Sequence, residues 1–175
     1  MTGFLPMATA KPFVMGIGGG SGSGKSTIVK EILKQLGTEK VSVIQHDSYY
    51  KDRPELSFEE RTKINFDHPD SLETNLLVEH LNLLISGKNV EIPVFHHFTK
   101  YLRDSSTKKV ESRPILIVEG ILVLNDKELR DLMNLKVFID VPRDLRFIRR
   151  LKRDLSEHGR SVESVIKQYL ATIRT

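Results

Sequence analysis

A lysine and a hydroxyl stand side by side at the end of a glycine-rich run. "GGGSGSGKST" contains Gly19, four further residues, then Gly24-Lys25-Ser26, which is the Walker A spacing. Gly19, Gly20, Gly22 and Gly24, with Ser21 and Ser23 among them, let backbone N–H groups turn around phosphate oxygens with no Cβ in the way. Lys25 offers a point charge to β- and γ-phosphates, and the Ser26 hydroxyl is a ligand for Mg²⁺. Thr27 follows in the first turn of an expected helix, whose positive end adds to the field. A glycine turn without a ligand is the bland alternative. The flanking patterns, an apolar strand before and a helix after, argue against it.

Two acids have related chemistry. Asp47 in "VIQHDSYYKD" follows an apolar run and is itself followed by Tyr49 and Tyr50. At the mouth of a strand beside a phosphate loop, a carboxylate can orient a hydroxyl nucleophile, accept its proton and touch Mg²⁺ through water. A turn or helix cap is the ordinary alternative. The two tyrosines offer flat faces to a ring-shaped substrate, or belong to the core. Glu119 closes the apolar run "ILIVEGIL", the place of a Walker B carboxylate holding metal-bound water. A buried, unpaired glutamate would otherwise be costly.

Arginines form the third group. Arg146, Arg149, Arg150 and Arg153 follow i, i+3, i+4, i+7 spacing and so share one helix face. Leu145, Ile148, Leu151 and Leu155 supply the apolar side. Arg146 and Arg149 suit a solvated face. Arg150, Arg153 and Arg160 suit a lid that closes on a transferring phosphate.

The elements that must position these groups alternate. "FVMGIG" (13–18) reads as a buried strand, followed by a helix at 25–36 with Ile28, Ile32 and Leu36 at helical spacing and Gly37 as its stop. "VSVIQH" is a second strand. "SLETNLLVEHLNLLISG" is a helix with Leu72, Leu76, Leu77, Leu81 and Leu84 as its buried stripe, Asp70 and Glu73 resembling a capping box, and Gly87 at its end. "VEIPVF" carries Pro93, so an edge or a departing hairpin is expected. "ILIVEGILVL" should be a central parallel strand and "KVFIDV" another. Helices over 143–157 and 162–173 complete a doubly wound, mainly parallel α/β sheet. The loops after Gly18, His46, Val118 and Asp140 then face one crevice.

Composition narrows the class. The chain has 175 residues, 39% hydrophobic and 29% charged, which suits one globular domain over 13–175 behind a flexible N-terminal tail at 1–12. Cysteine is absent, which fits a reducing, cytoplasmic setting. No apolar run is long enough to span a bilayer, and the start lacks a signal-peptide pattern. The net charge of +4 gathers in the arginine segment rather than a basic tail, so a phosphate pocket is preferred to a nucleic-acid surface. The guanine-reading Asn-Lys-x-Asp and the Asp-x-x-Gly of GTPases are missing. A small-molecule kinase survives this sorting, with ATP and Mg²⁺ as its cofactors.

"GGGSGSGKST", "QHDSYYKD", "NFDHPDS", "IVEGIL", "FIDVPRDLRFIRRLKRDLSEHGRS" and "KQY" together resemble the uridine kinase (uridine–cytidine kinase) family from Phe13 to Tyr169. The resemblance implies a phosphate-loop kinase fold with a small β-hairpin at the acceptor site, about 90–112, and a lid, about 143–162. It implies transfer of the ATP γ-phosphoryl, with GTP an alternative donor, to the 5′-hydroxyl of uridine or cytidine in pyrimidine salvage. Asp47 then resembles the catalytic base and shares Mg²⁺ with Ser26 and Glu119. Asp67 resembles the carboxylate that grips the ribose hydroxyls. Arg150 resembles an arginine near sugar and phosphate, and Arg153 a lid residue on the ATP phosphates. Arg160 and Gln168 match positions near the base, and Tyr50 and Phe66 line its pocket. Phe95 stands where the family has a tyrosine and Lys100 where it has a base-reading histidine. Leu102 stands where it has an arginine, with Arg103 one step later. His158 replaces a lid arginine. The family also implies a homo-oligomer, a tetramer, and a further C-terminal strand and helix beyond Thr175. A related kinase of another small hydroxyl metabolite, and a nucleotide-binding regulator without catalysis, are the competing readings.

Overall fold

Four short β-branched runs form the centre of the molecule. In the computed structural model, residues 11–97, 99–157 and 159–173 are described. The tail expected at 1–12, apart from its last two residues, lies outside them, as does His158. β1 (Phe13–Gly18), β2 (Val41–Gln45), β5 (Ile115–Gly120) and β6 (Leu135–Phe138) form one parallel sheet in the order β2-β5-β1-β6. β5 is central, and Leu116, Ile117 and Val118 are fully buried there, as an apolar run with helices on both sides requires. The strand ends at Gly120 rather than continuing through "ILVL", which turns toward α4 (Lys127–Asp131). β6 is likewise shorter than "KVFIDV".

On one face lies α1 (Lys25–Leu36). It turns inward through Val29, with Ile32 and Leu33 partly buried; Ile28 and Leu36, expected inside, are 40% and 41% exposed. The other face takes α3 (Thr74–Ile85), where Leu77, Leu81 and Leu84 are fully buried. Each such leucine contributes roughly 1.5–3 kcal/mol by leaving water. The expected capping box at Asp70 and Glu73 does not form. Pro69–Ser71 is a 3-10 turn, Leu72 pairs with Tyr50 in an isolated bridge, and α3 begins only at Thr74. Proline at the start of that turn fixes φ and ends the chain's freedom to extend α3 backward. A working capping box is found instead at Ser57 and Glu60, heading α2 (Phe58–Thr62).

β3 (Val90–His96) and β4 (Leu102–Val110) make the antiparallel hairpin, with an irregularity between Pro93 and Phe95. α5 (Arg143–Glu157) and α6 (Val162–Gln168) follow, and Tyr169–Ile173 continues as a π turn in place of the expected α-helix. In α5 the expected lid arginines Arg150 and Arg153 do line the cleft, while the leucine side is the more exposed one. The buried residues of α5 are Arg150 and Asp154, while Leu145, Ile148 and Leu155 are 45, 47 and 38% exposed. The arginine face turns toward the cleft because carboxylates wait there. Among the described residues no helix is long and apolar enough to cross a membrane.

Candidate active site

The phosphate loop leaves β1 with Gly18 buried and turns through positive φ at Gly22 and Gly24, +80° and +100°. Nothing would touch a Cβ at Gly24, so glycine is needed there for backbone conformation alone. At Gly20 the reason differs: the Arg146 guanidinium fills the space a Cβ would take. Arg146, expected in solvent, therefore braces the loop, and its Nε donates to the Val141 carbonyl at 3.1 Å. Lys25 folds back over the loop, its Nζ donating to the Gly19 carbonyl at 2.7 Å and that of Gly20 at 3.2 Å. Burial pushes the Lys25 pKa down, against the pull of the Asp47 and Glu119 carboxylates.

Strand register brings the acids here. Gln45 and Glu119 are partners across the β2–β5 pair, and Asp47 lies in the 3-10 turn that follows β2. Glu119 accepts from Ser26 Oγ at 3.2 and 3.3 Å and from Gln45 Nε2 at 3.1 Å. Asp47 Oδ1 is sealed from solvent and has no hydrogen-bond partner among the described residues. Desolvation raises the Asp47 pKa to about 6, with Lys25 pulling it down and Glu119 and Asp67 pushing it up. An orphaned carboxylate oxygen, a second carboxylate and a hydroxyl form an all-oxygen donor set, which fits a magnesium ion that keeps its waters. Next door, His46 is buried and neutral: desolvation lowers its pKa to about 4, and its Nε2 lies 3.2 Å from Thr74 Oγ1.

One cleft of about 670 Å³ joins these groups to the acceptor side. Ser21, Gly22, Gly24, Lys25, Ser26, Thr27, Asp47 and Glu119 line it with Tyr50, Phe66, Asp67, Arg149, Arg150, Arg153 and Gln168. Gly19, Gly20 and Ser23, also expected to cradle phosphate, are not among the lining residues. Tyr50 donates its hydroxyl to the Phe66 carbonyl at 2.9 Å, and the two rings meet edge to face at 4.9 Å. Tyr49 is core, fully buried, its hydroxyl 2.9 Å from His80 Nδ1. Burial raises the Asp67 pKa, opposed first by the Arg150 charge.

Three expected contacts are placed elsewhere. Phe95 is buried behind Tyr50, ring centroids 5.3 Å apart, and does not line the cleft. Lys100 is exposed on the hairpin turn, whereas Tyr101 beside it reaches the cleft. Tyr101 takes a left-handed φ of +51°, and its ring stacks on Phe66 at 5.6 Å and 21°. Leu102 pairs with His96 across the hairpin, and the arginine one step later, Arg103, does not line the cleft. Its Nη2 pairs with Glu73 at 2.7 Å and its Nε donates to the Tyr50 carbonyl at 3.1 Å. Arg160 stands behind the lining, bonded to Gln168 Oε1 at 2.6 Å. His97, expected to compensate for the altered hairpin only if its register differs, lines the cleft, and Asp154, which sequence reasoning passed over, is fully buried among the arginines. The signal for Asp154 was present: an acid four residues after Arg150 on a basic stripe.

A glycine cradle with its lysine, a carboxylate beyond the neighbouring strand and a second acid at the end of the strand between them, on a β2-β5-β1-β6 parallel sheet, define a phosphate-loop kinase. A model of the phosphoribulokinase / uridine kinase family matches residues 14–174, and the chain belongs to that family. It is 50% identical over 163 residues to the uridine kinase of Chloroflexus aurantiacus, covering 93% of this chain and 78% of the relative. It is 48% identical over 164 residues to the uridine kinase of Streptococcus thermophilus, covering 94% and 77%. Among solved structures, one from Bacillus stearothermophilus described as a possible uridine kinase superposes with a TM-score of 0.58 at 22% identity, over 93% of this chain and 88% of that one. Phosphoribulokinase from Rhodobacter spheroides superposes at 0.63 with 15% identity, over 93% and 64%. These two likenesses are of fold.

Proposed function

We propose that the protein transfers the γ-phosphoryl of ATP to the 5′-hydroxyl of uridine or cytidine. The observation that carries this reading is the placement of Asp47 in one cleft with Lys25 and Ser26 on one side and Asp67, Tyr50 and Phe66 on the other. The relatives named uridine kinase support the choice of nucleoside.

The reaction has simple requirements. Loop N–H groups and Lys25 hold the β- and γ-phosphates, and the arginines of α5 approach the transferring group from the lid side. Asp67 accepts two hydrogen bonds from the ribose diol, which a deoxyribose cannot supply in full. The nucleobase lies among Tyr50, Phe66 and Tyr101. Asp47 accepts the proton of the 5′-hydroxyl as that oxygen bonds to the γ-phosphorus and the bond to the bridging oxygen breaks. A desolvated carboxylate with a raised pKa is a stronger base near neutral pH than an ordinary one. Ser26, Glu119 and Asp47 would hold Mg²⁺, which when bound neutralises phosphate charge. Positioning and charge neutralisation supply most of the rate.

The wider reading is one domain over 13–175 that also accepts GTP, works in cytoplasmic pyrimidine salvage and forms a homo-oligomer, a tetramer. Light scattering on the eluting protein measures the last point. ADP release with ATP and a panel of uridine, cytidine, deoxyuridine, ribose and small alcohols tests the first. Turnover with both ribonucleosides is expected. Release with another alcohol and none with uridine or cytidine overturns the assignment.

A further inference from the structure

Asp154 is 0% exposed, at the inner end of the arginine face of α5. Arg153 donates to its Oδ1 through Nε at 3.0 Å and Nη2 at 2.8 Å. Arg160 Nη1 reaches Oδ2 at 3.4 Å, and Arg150 Nε lies 3.6 Å from the same oxygen, an ion pair too long for a hydrogen bond. The Arg160 backbone N–H donates to the Asp154 carbonyl at 3.1 Å, tying the start of α6 to α5. Gln168 Oε1 closes the other side, accepting from Arg160 at 2.6 Å and Arg150 at 3.1 Å.

Asp154 is ion-paired with all three guanidiniums, while Asp67 and Asp47 act on Arg150 and Arg153 only through their fields. Arg150 is itself only 8% exposed. A buried carboxylate is a poor way to gain stability, since well-packed apolar residues do as well or better. What a shared carboxylate supplies is geometry: it sets three flexible side chains in one arrangement before any ligand arrives. The remaining positive charge faces the cleft, where an anion would offset it.

We propose that Asp154 is a positioning residue for phosphoryl transfer, holding Arg150, Arg153 and Arg160 as one preset array whose unmatched charge is met by the transferring phosphoryl group. The proposal rests on the kinase reading above. Its signature is a split between binding and turnover. Asp154→Asn keeps shape and an acceptor but removes the negative charge. The array becomes more positive and less ordered.

The test measures MgATP binding by calorimetry, kcat with uridine, and thermal unfolding for the wild type, Asp154→Asn and Asp154→Glu. Asp154→Asn should bind MgATP within about threefold of wild type or tighter, while kcat falls roughly 10- to 100-fold, the scale of a small misplacement. Asp154→Glu should recover part of kcat. Unchanged kcat overturns the proposal, as does a parallel loss of ATP affinity and kcat, the mark of simple unfolding. Should Asp154→Asn not fold, the intact protein decides. Nε–H signals of Arg153 and Arg160 should be protected in the free enzyme and shift with MgATP; averaged, unresponsive signals overturn the idea. A wild type inert toward uridine refutes the kinase reading, and the arginine signals with MgATP alone still judge Asp154.

Discussion

Asp47→Asn should stabilise the protein at neutral pH while removing its activity. Burial raises the Asp47 pKa from 3.8 to about 6, so the folded state holds a proton that the unfolded chain has already released. Between these values the folded state binds more protons, and its stability falls as pH rises; above pH 6 the penalty is complete. The difference corresponds to ~3 kcal/mol at ~1.36 kcal/mol per pKa unit, a ceiling. Asp47 also offsets the Lys25 charge, which the substitution leaves less compensated, so a net gain of about 1–2 kcal/mol is expected. Urea unfolding at pH 7.5 in EDTA, without nucleotide, reads this as a midpoint increase of about 0.5–1 M at a typical slope of ~2 kcal/mol/M. At pH 4 the gain should have nearly vanished. Turnover should fall by about 10²–10⁴, as for loss of a positioned base. A variant no more stable than wild type at pH 7.5, or equally stabilised at both pH values, refutes the reasoning.

His46 gives the opposite slope. Its folded pKa is depressed to about 4 from 6.5, so it contributes stability above pH 6.5 that is lost as pH falls toward 4. Asp47→Asn should unmask this loss, seen as a steeper decline in urea midpoint over that range than in wild type. Glu119→Gln should leave uridine affinity near wild type but raise the Mg²⁺ concentration for half-maximal rate at least tenfold, measured by magnesium titration at saturating ATP. Asp67→Asn should raise the KM for uridine by about 10–100-fold with the KM for ATP little changed, and narrow the preference for uridine over deoxyuridine in steady-state kinetics.

The sheet and the phosphate loop were legible because their signals are local. An apolar strand, a glycine run and a helical pattern in succession have few other solutions, and Asp47 and Glu119 followed from their places at strand ends. The cleft-facing Arg150 and Arg153 of α5 were legible from their spacing; that the leucine side stays largely exposed was not, because amphipathicity reports that two faces differ, not which one the fold buries. That Tyr101 and not Lys100 lines the cleft was not legible, since a tyrosine at φ +51° in the hairpin turn leaves no mark in the letters. Leu72 has helical spacing from Leu76, yet Pro69 fixes a turn that sends it to the Tyr50 side instead.

The β2–β5 register has a bearing on how such a chain can change. Gln45 sits opposite Glu119, and Asp47 follows two positions on. Side chains alternate along a strand, so one inserted or deleted residue between Val41 and Gln45 would turn the whole segment over. The Asp47 carboxylate would then be carried out of step with Glu119 at the end of β5. Substitutions in this strand trade packing by degrees, whereas a change of length switches the chemistry off in a single step.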